Sequence, residues 1–194
     1  MSYFDVEDNV DGYLKMVADY DGGPLIATFA ERVPAGARVL EIGMGGGADL
    51  DLLAEAGYEA TGSDASSVFL QRYADRGGRC PTLQLDARLL DTDQRYDALF
   101  SNKVLQHLTL DEMAASLRRQ AALLEPGGVA FHTLWRGEDC EEHHGMLFTQ
   151  YTRARLEELL PESLEIVELV TYDEMAPGDS LWVLLRRPDA ATTR

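Results

Sequence analysis

The order strand, glycine turn, helix within residues 39–50, VLEIGMGGGADL, constrains this chain more than any other feature. The apolar run reads as a buried strand. Gly43, Gly45 and Gly47 then let the backbone turn sharply and pass close to a ligand, where a β-carbon would obstruct both. Gly43, Gly45 and Ala48 also satisfy the dinucleotide spacing with alanine in third place, so the loop by itself admits NAD or another adenosine-containing ligand.

Around this turn, short apolar runs alternate with helical patterns, which predicts an α/β domain with a parallel sheet. Strands are expected at 38–42, 58–63, 81–85, 96–101 and 128–134, each buried on both faces. Helices are expected between them at 48–56, 66–75 and 111–124, stopped by Gly57, Gly77 and Gly127. Thr109 and Glu112 have capping-box spacing at the third helix. Two helical pieces, 6–20 and 24–32, come first. A helix near 153–160 and two runs, 164–172 and 181–186, come last. Strands joined so tightly must be antiparallel, so the sheet should be mixed. The 194 residues fit a single domain: an amino-terminal helical lid at 1–34, a cofactor-binding core at 35–134, a lid loop at 135–151, and a helix with terminal hairpin at 152–194.

The formal net charge of −17, with Lys15 and Lys103 the only lysines, repels phosphate backbones and anionic membrane surfaces and argues against a nucleic-acid partner. No apolar run has signal-peptide or membrane-spanning length, which predicts a cytoplasmic protein without a membrane partner. Cys80 and Cys140 lack metal-motif spacing and read as reduced thiols. His107, His132, His143 and His144 do not form a helical zinc motif, so no metal is expected.

Two acids stand where a nucleoside is read. Asp64 lies 21 positions beyond Gly43 at a strand end, where a carboxylate can accept both ribose hydroxyls. Asp86 occupies the next carboxyl end. With these residues the chain resembles the class I (Rossmann-like) S-adenosylmethionine-dependent methyltransferases, particularly small bacterial members, over about two thirds of its length. The first motif of that family looks like residues 41–47, with Glu41, Gly43, Gly45 and Gly47. Its ribose acid looks like Asp64, followed by Ala65, and its adenine-side residues like Asp86 and Ala87. Asn102 and Lys103 match the strand exit that flanks the sulfonium. Met44, Gly46 and Lys103 depart from the common pattern.

The resemblance implies a doubly wound seven-stranded sheet of order 3-2-1-4-5-7-6 with strand 7 antiparallel, S-adenosylmethionine as cofactor, and a small-molecule methyl acceptor. It also implies that Tyr13 and Tyr20 on the amino-terminal helices, with the 135–151 segment, close over the cofactor. His143, His144 and His107 are the candidate proton acceptors, whereas His132, inside a strand, reads as a core residue. An NAD-dependent oxidoreductase and a non-catalytic S-adenosylmethionine-binding protein are the competing readings.

Overall fold

Alternate residues of the strand at Arg38–Ile42 (β1) leave the sheet on opposite faces, and both faces are buried. In the computed structural model, which describes residues 3–143 and 145–189, Val39 joins one apolar cluster while Leu40 and Ile42 join another. The same alternation runs through Glu59–Asp64 (β2), Tyr96–Asn102 (β4), Leu124–Trp135 (β5) and Ser180–Arg186 (β9). Phe100, Phe131 and Trp182 pack on one face against Phe29, Leu50, Leu53 and Tyr73. These four come from the helices Gly23–Ala30 (α2), Ala48–Glu55 (α3) and Ser67–Asp75 (α4). Leu99, Ala130, Leu134 and Val183 pack on the other face against Met113 and Leu117 of Leu110–Leu123 (α5) and Leu156 of Arg153–Leu159 (α6). Burying each such side chain contributes about 1.5–3 kcal/mol, and the period-2 pattern makes a one-residue slip of register expose them all.

With Thr82–Gln84 (β3) and Glu165–Tyr172 (β8), the strand order is β3-β2-β1-β4-β5-β9-β8. β5 pairs antiparallel with β9, and β9 antiparallel with β8. The expected sheet is therefore present. It differs in numbering because two further strands, Cys140–His143 (β6) and Met146–Thr149 (β7), intervene as a separate antiparallel hairpin. That hairpin occupies the segment expected to be a loop, and its CEEH and MLFT sequences give no period-2 contrast because β6 is exposed throughout.

Other boundaries shift in ways the packing explains. β2 runs through Asp64 rather than stopping before it. β3 is a three-residue edge strand, half-buried to exposed, because it has a neighbour on one side only. α5 passes into β5 at Leu124 without waiting for Gly127. The capping box forms as expected, with Thr109 Oγ1 accepting from the Glu112 amide and Glu112 Oε2 from the Thr109 amide. The amino-terminal helix is shorter than expected, Glu7–Met16 (α1). Among the described residues, no helix is long and apolar enough to cross a membrane.

His132 is a fully buried core residue on β5. Its Nε2 faces Gln120 Oε1 at 2.7 Å and its Nδ1 faces Ser101 Oγ at 2.8 Å. The amide oxygen only accepts, so Nε2 donates and the Ser101 hydroxyl donates to Nδ1. Gln120 continues to Ser116, and Ser116 Oγ donates to the Ala87 carbonyl at 2.6 Å. Burial pushes the imidazole down to about 3 from the ordinary 6.5. Between those values the unfolded chain binds a proton that the folded chain refuses, so stability falls as pH drops below 6.5, by about 1.4 kcal/mol per unit. We expect that slope to be absent from His132→Gln. Urea melts of both proteins between pH 4.5 and 7 check it, and parallel pH profiles for the two would contradict the assignment.

Candidate functional site

Three glycines of the turn after β1 have left-handed φ: Gly43 at +71°, Gly45 at +50° and Gly47 at +78°. Their roles differ. A β-carbon on Gly43 would strike the Val104 side chain, and one on Gly47 the Tyr73 ring, so these two serve backbone geometry and internal packing. At Gly45 a β-carbon would meet only Tyr13 Cε1 at 3.7 Å. The space above Gly45 belongs to the cleft. Arg76 fixes the turn from outside by donating to the carbonyls of Gly46 and Gly47 at 2.9 and 3.0 Å while pairing with Asp51.

That cleft, about 1710 Å³, lies at the carboxyl ends of β1, β2 and β4, and is lined among others by Glu41, Gly43, Gly45, Asp64 and Asn102. It exceeds the roughly 300–1,000 Å³ of an ordinary single-ligand pocket, leaving room for two molecules. A smaller hollow of about 730 Å³ at the other end of the strands, near Arg38, Tyr58 and Cys80, contains none of the turn.

The floor of the cleft holds carboxylates without cations. Asp64 accepts the Gly45 amide at 3.0 Å and the Ser66 amide at 2.9 Å. Glu41 is 3% exposed, and its Oε2 has no hydrogen-bond partner. Asp49, in the first turn of α3, accepts from Asn102 Nδ2 at 3.0 Å. The same Asn102 nitrogen donates to the Tyr20 hydroxyl at 2.7 Å, while its Oδ1 accepts from Thr133 at 2.6 Å. None of Glu41, Asp49 and Asp64 has an ion pair among the described residues. Burial raises all three carboxyls, Glu41 most strongly, and for Glu41 the neighbouring Asp49 and Asp64 charges add to it. Burial together with these acids also raises the Tyr13 and Tyr20 hydroxyls.

Ala65, Asp86 and Ala87 line the cleft as the sequence suggested. The Asp86 carboxylate is, however, already engaged by the Arg88 guanidinium, which holds it below the usual range. Lys103 also lines the cleft. Its backbone sits at φ +56°, and its ammonium is drawn to Glu174 at 3.0 Å, to Ser180 at 2.8 Å and over the Trp135 ring at 3.5 Å. Its charge is neutralised there rather than set against the carboxylate floor.

The histidines divide unequally. His107, in the 3-10 turn Leu105–His107, lines the cleft. Its Nδ1 lies 2.7 Å from the Leu147 carbonyl of β7; a carbonyl only accepts, so Nδ1 carries the proton and the neutral ring has its lone pair on Nε2. Burial lowers the imidazole below 6.5, keeping it neutral at pH 7. His143 is not brought to the cleft. It is exposed on β6 and pairs with Glu141 at 2.9 Å. His144 lies outside the described residues. Sequence reasoning missed Asp49 and Gln106, both buried and both lining the cleft. A polar residue inside an apolar run, as in ADLDLL and VLQHL, was the available signal.

A family profile described as a methyltransferase domain matches residues 17–169. The ubiquinone biosynthesis O-methyltransferase of Ruegeria pomeroyi is 32% identical over 108 residues, covering 51% of this chain and 41% of that protein. An Arabidopsis thaliana tRNA (carboxymethyluridine(34)-5-O)-methyltransferase is 29% identical over 131 residues, 66% of this chain and 31% of that protein. The chain thus spans less than half the length of these curated relatives. Among solved structures, the Burkholderia thailandensis 1,6-didemethyltoxoflavin-N1-methyltransferase with bound 1,6-didemethyltoxoflavin and S-adenosylhomocysteine superposes with a TM-score of 0.77 at 24% identity, over 92% of this chain and 83% of that one. The N-methyltransferase NodS of Bradyrhizobium japonicum, in complex with S-adenosylhomocysteine, gives 0.69 at 21%, over 86% of each.

The buried floor generates a stability prediction. Between the ordinary carboxyl value of 4.5 and the raised value of Glu41, the folded protein keeps a proton that the unfolded chain has lost, so this group's contribution declines as pH rises through that window. Without ligand, Glu41→Gln is therefore expected to gain stability relative to the parent as pH rises from 4.5 to 8 and to be nearly equal to it at pH 4.5. Thermal melts at the two pH values measure the difference.

Proposed function

The chain belongs to the methyltransferase-domain family, and from that premise we propose that it transfers the methyl group of S-adenosylmethionine directly to a small-molecule acceptor. The observation that carries this reading is the pairing of an open position above Gly45 with three carboxylates that have no ion pair among the described residues, Glu41 and Asp49 buried and Asp64 half-buried, of which Glu41 Oε2 and Asp49 Oδ1 lack any hydrogen-bond partner. Buried charge without a partner is costly. A ligand bearing a sulfonium and an ammonium relieves that cost, whereas the pyrophosphate of NAD would increase it. The residues therefore fit the cofactor: Asp64 has lone pairs left for ribose hydroxyls, Glu41 Oε2 lacks a donor, and Gly45 leaves room for the ligand. Tyr13 and Tyr20, carried on and beside α1, wall the cleft above this floor.

When bound, the sulfonium supplies an activated methyl carbon. What remains for the chain is to hold an acceptor in line, exclude water and receive a proton; alignment alone can supply on the order of 7 kcal/mol of the barrier. Of the candidate bases, His107 has the geometry, with a neutral ring and a free Nε2 lone pair at the cleft wall. The acidic surface, at −17, favours a small molecule over nucleic acid as acceptor, and the two free thiols suit a reducing cytoplasm.

Titration calorimetry with S-adenosylmethionine, S-adenosylhomocysteine, NAD and NADP tests the cofactor. Binding of the first two alone is expected, and Gly45→Val should abolish it without unfolding the chain. Saturable binding of NAD instead would overturn the reading. For the base, we expect His107→Gln to keep cofactor affinity within a few-fold while lowering methyl transfer about 10²-fold. The parent rate should fall as pH drops below the lowered His107 value and the variant should lose that limb, while His143→Ala keeps the parent profile. A His107 variant with the parent's rate and pH profile removes it from the mechanism.

A further inference from the structure

Around the 105–107 turn the cleft presents hydrogen-bond acceptors that have no partner. Gln106 lines it, is 3% exposed, and its Oε1 has no partner. His107 Nε2, beside it, is an acceptor because Nδ1 is committed to the Leu147 carbonyl. Glu142 of β6 faces the same space and has no ion pair among the described residues. All three groups wait for a donor.

The charge inventory points the same way. Among the described residues, nine carboxylate side chains and four cationic ones line the cleft, and every one of these four cations is already held. Glu7 and Asp11 take Arg72, Asp51 takes Arg76, Asp86 and Glu112 take Arg88, and Glu174 takes Lys103. An anionic acceptor finds no free countercharge here. Leu108, Met146, Phe148 and Trp135 also line the cleft, and such apolar and aromatic walls suit a flat ring.

We propose that the methyl acceptor is a small, uncharged, N–H-bearing nitrogen base on a planar ring, weakly basic enough to keep its lone pair at neutral pH, recognised by Gln106 and methylated on nitrogen. This rests on the methyltransferase reading above. The nitrogen lone pair forms the C–N bond as the methyl–sulfur bond breaks, and the electron pair of that bond stays on sulfur as a neutral thioether. Positive charge thereby moves from sulfur to nitrogen within a carboxylate-lined space that favours it at both ends of the path. The methylated nitrogen then releases its N–H proton to His107 Nε2, and from there to solvent. A carboxylate or phosphate acceptor would instead enter against the full field of the acids.

The test uses three probes on one ring: 8-aminoquinoline, 8-hydroxyquinoline and quinoline-8-carboxylate. Calorimetry or ligand-observed NMR on the protein loaded with S-adenosylhomocysteine measures binding, and labelled S-adenosylmethionine measures transfer. The amine is expected to bind at least about tenfold more tightly than the carboxylate, with any label on nitrogen. Gln106→Leu should weaken the amine about tenfold, as for the loss of a hydrogen bond in a buried site, and leave the carboxylate unaffected. Affinity for S-adenosylhomocysteine should stay within twofold in Gln106→Leu, which also shows that the variant folds. Preferential binding of the carboxylate or hydroxyl probe, no binding of the amine, or unchanged amine affinity in Gln106→Leu would each overturn the proposal. Failure of the parent protein to bind S-adenosylhomocysteine would overturn the cofactor reading instead, so the two failures are distinct.

Discussion

Asp64 Oδ2 accepts the Gly45 amide and Oδ1 the Ser66 amide, so one carboxylate at the end of β2 fixes both the turn leaving β1 and the beginning of α4. Ser66 extends this tie as N-cap of α4, and its hydroxyl donates to the Phe4 carbonyl at 2.6 Å. The amino-terminal segment is thereby fastened to the same point. Phe4, Tyr13 and Phe69 then cluster with centroids 5.1–5.6 Å apart, Tyr13 edge-on to both phenylalanines, and Arg72 of α4 pairs with Glu7 and Asp11 of α1. The Asp64 hydrogen bonds thus join the turn and the helix start directly, and Ser66 and Arg72 carry the tie on to the amino-terminal segment.

The parts of this arrangement set by local chemistry were legible in the sequence. Residues 39–50 announce strand, turn and helix because glycine alone tolerates the required φ, and Thr109 with Glu112 announces a helix start through side-chain reach. His132 was readable as core from its place inside an apolar strand. What escaped depends on contacts distant in sequence. The β6–β7 hairpin is stabilised by docking on the 105–107 turn, so its own residues carry little periodic signal. The direction of the Lys103 side chain is decided by Glu174 and Trp135, far along the chain. His143 is a candidate because it lies in a segment expected to hang over the ligand, yet it stays exposed at the end of β6, paired with Glu141 and against the Phe148 ring, a placement set by contacts within the hairpin that its sequence does not announce.

A second polar chain runs beneath the site. Ser101 donates to His132, His132 to Gln120, Gln120 to Ser116, and Ser116 to the Ala87 carbonyl. Every member is satisfied, the condition under which a buried polar network rigidifies rather than weakens a core. It joins β4, β5 and α5 to the segment after β3 that lines the cleft. That segment is otherwise irregular backbone. Arg119 adds to it by donating to the carbonyls of Leu89, Leu90 and Thr92 at 2.9–3.1 Å. Glu41 Oε2 and Asp49 Oδ1 in the neighbouring floor have no hydrogen-bond partner, whereas this network is complete.

The hairpin and His107 are mechanically one unit. The Leu147 carbonyl accepts from His107 Nδ1, Phe148 stands edge-on to the imidazole at 4.8 Å, and Thr149 Oγ1 donates to the buried Leu108 carbonyl at 3.2 Å. Withdrawing the hairpin would break both hydrogen bonds and uncover the ring together. Nδ1 would lose the acceptor that selects its tautomer, and hydration would lift the burial that holds the imidazole below its ordinary value. The Leu147 carbonyl directs the Nε2 lone pair and β7 covers the ring, so the seating of the hairpin and the tautomer of His107 are coupled through Leu147, Phe148 and Thr149.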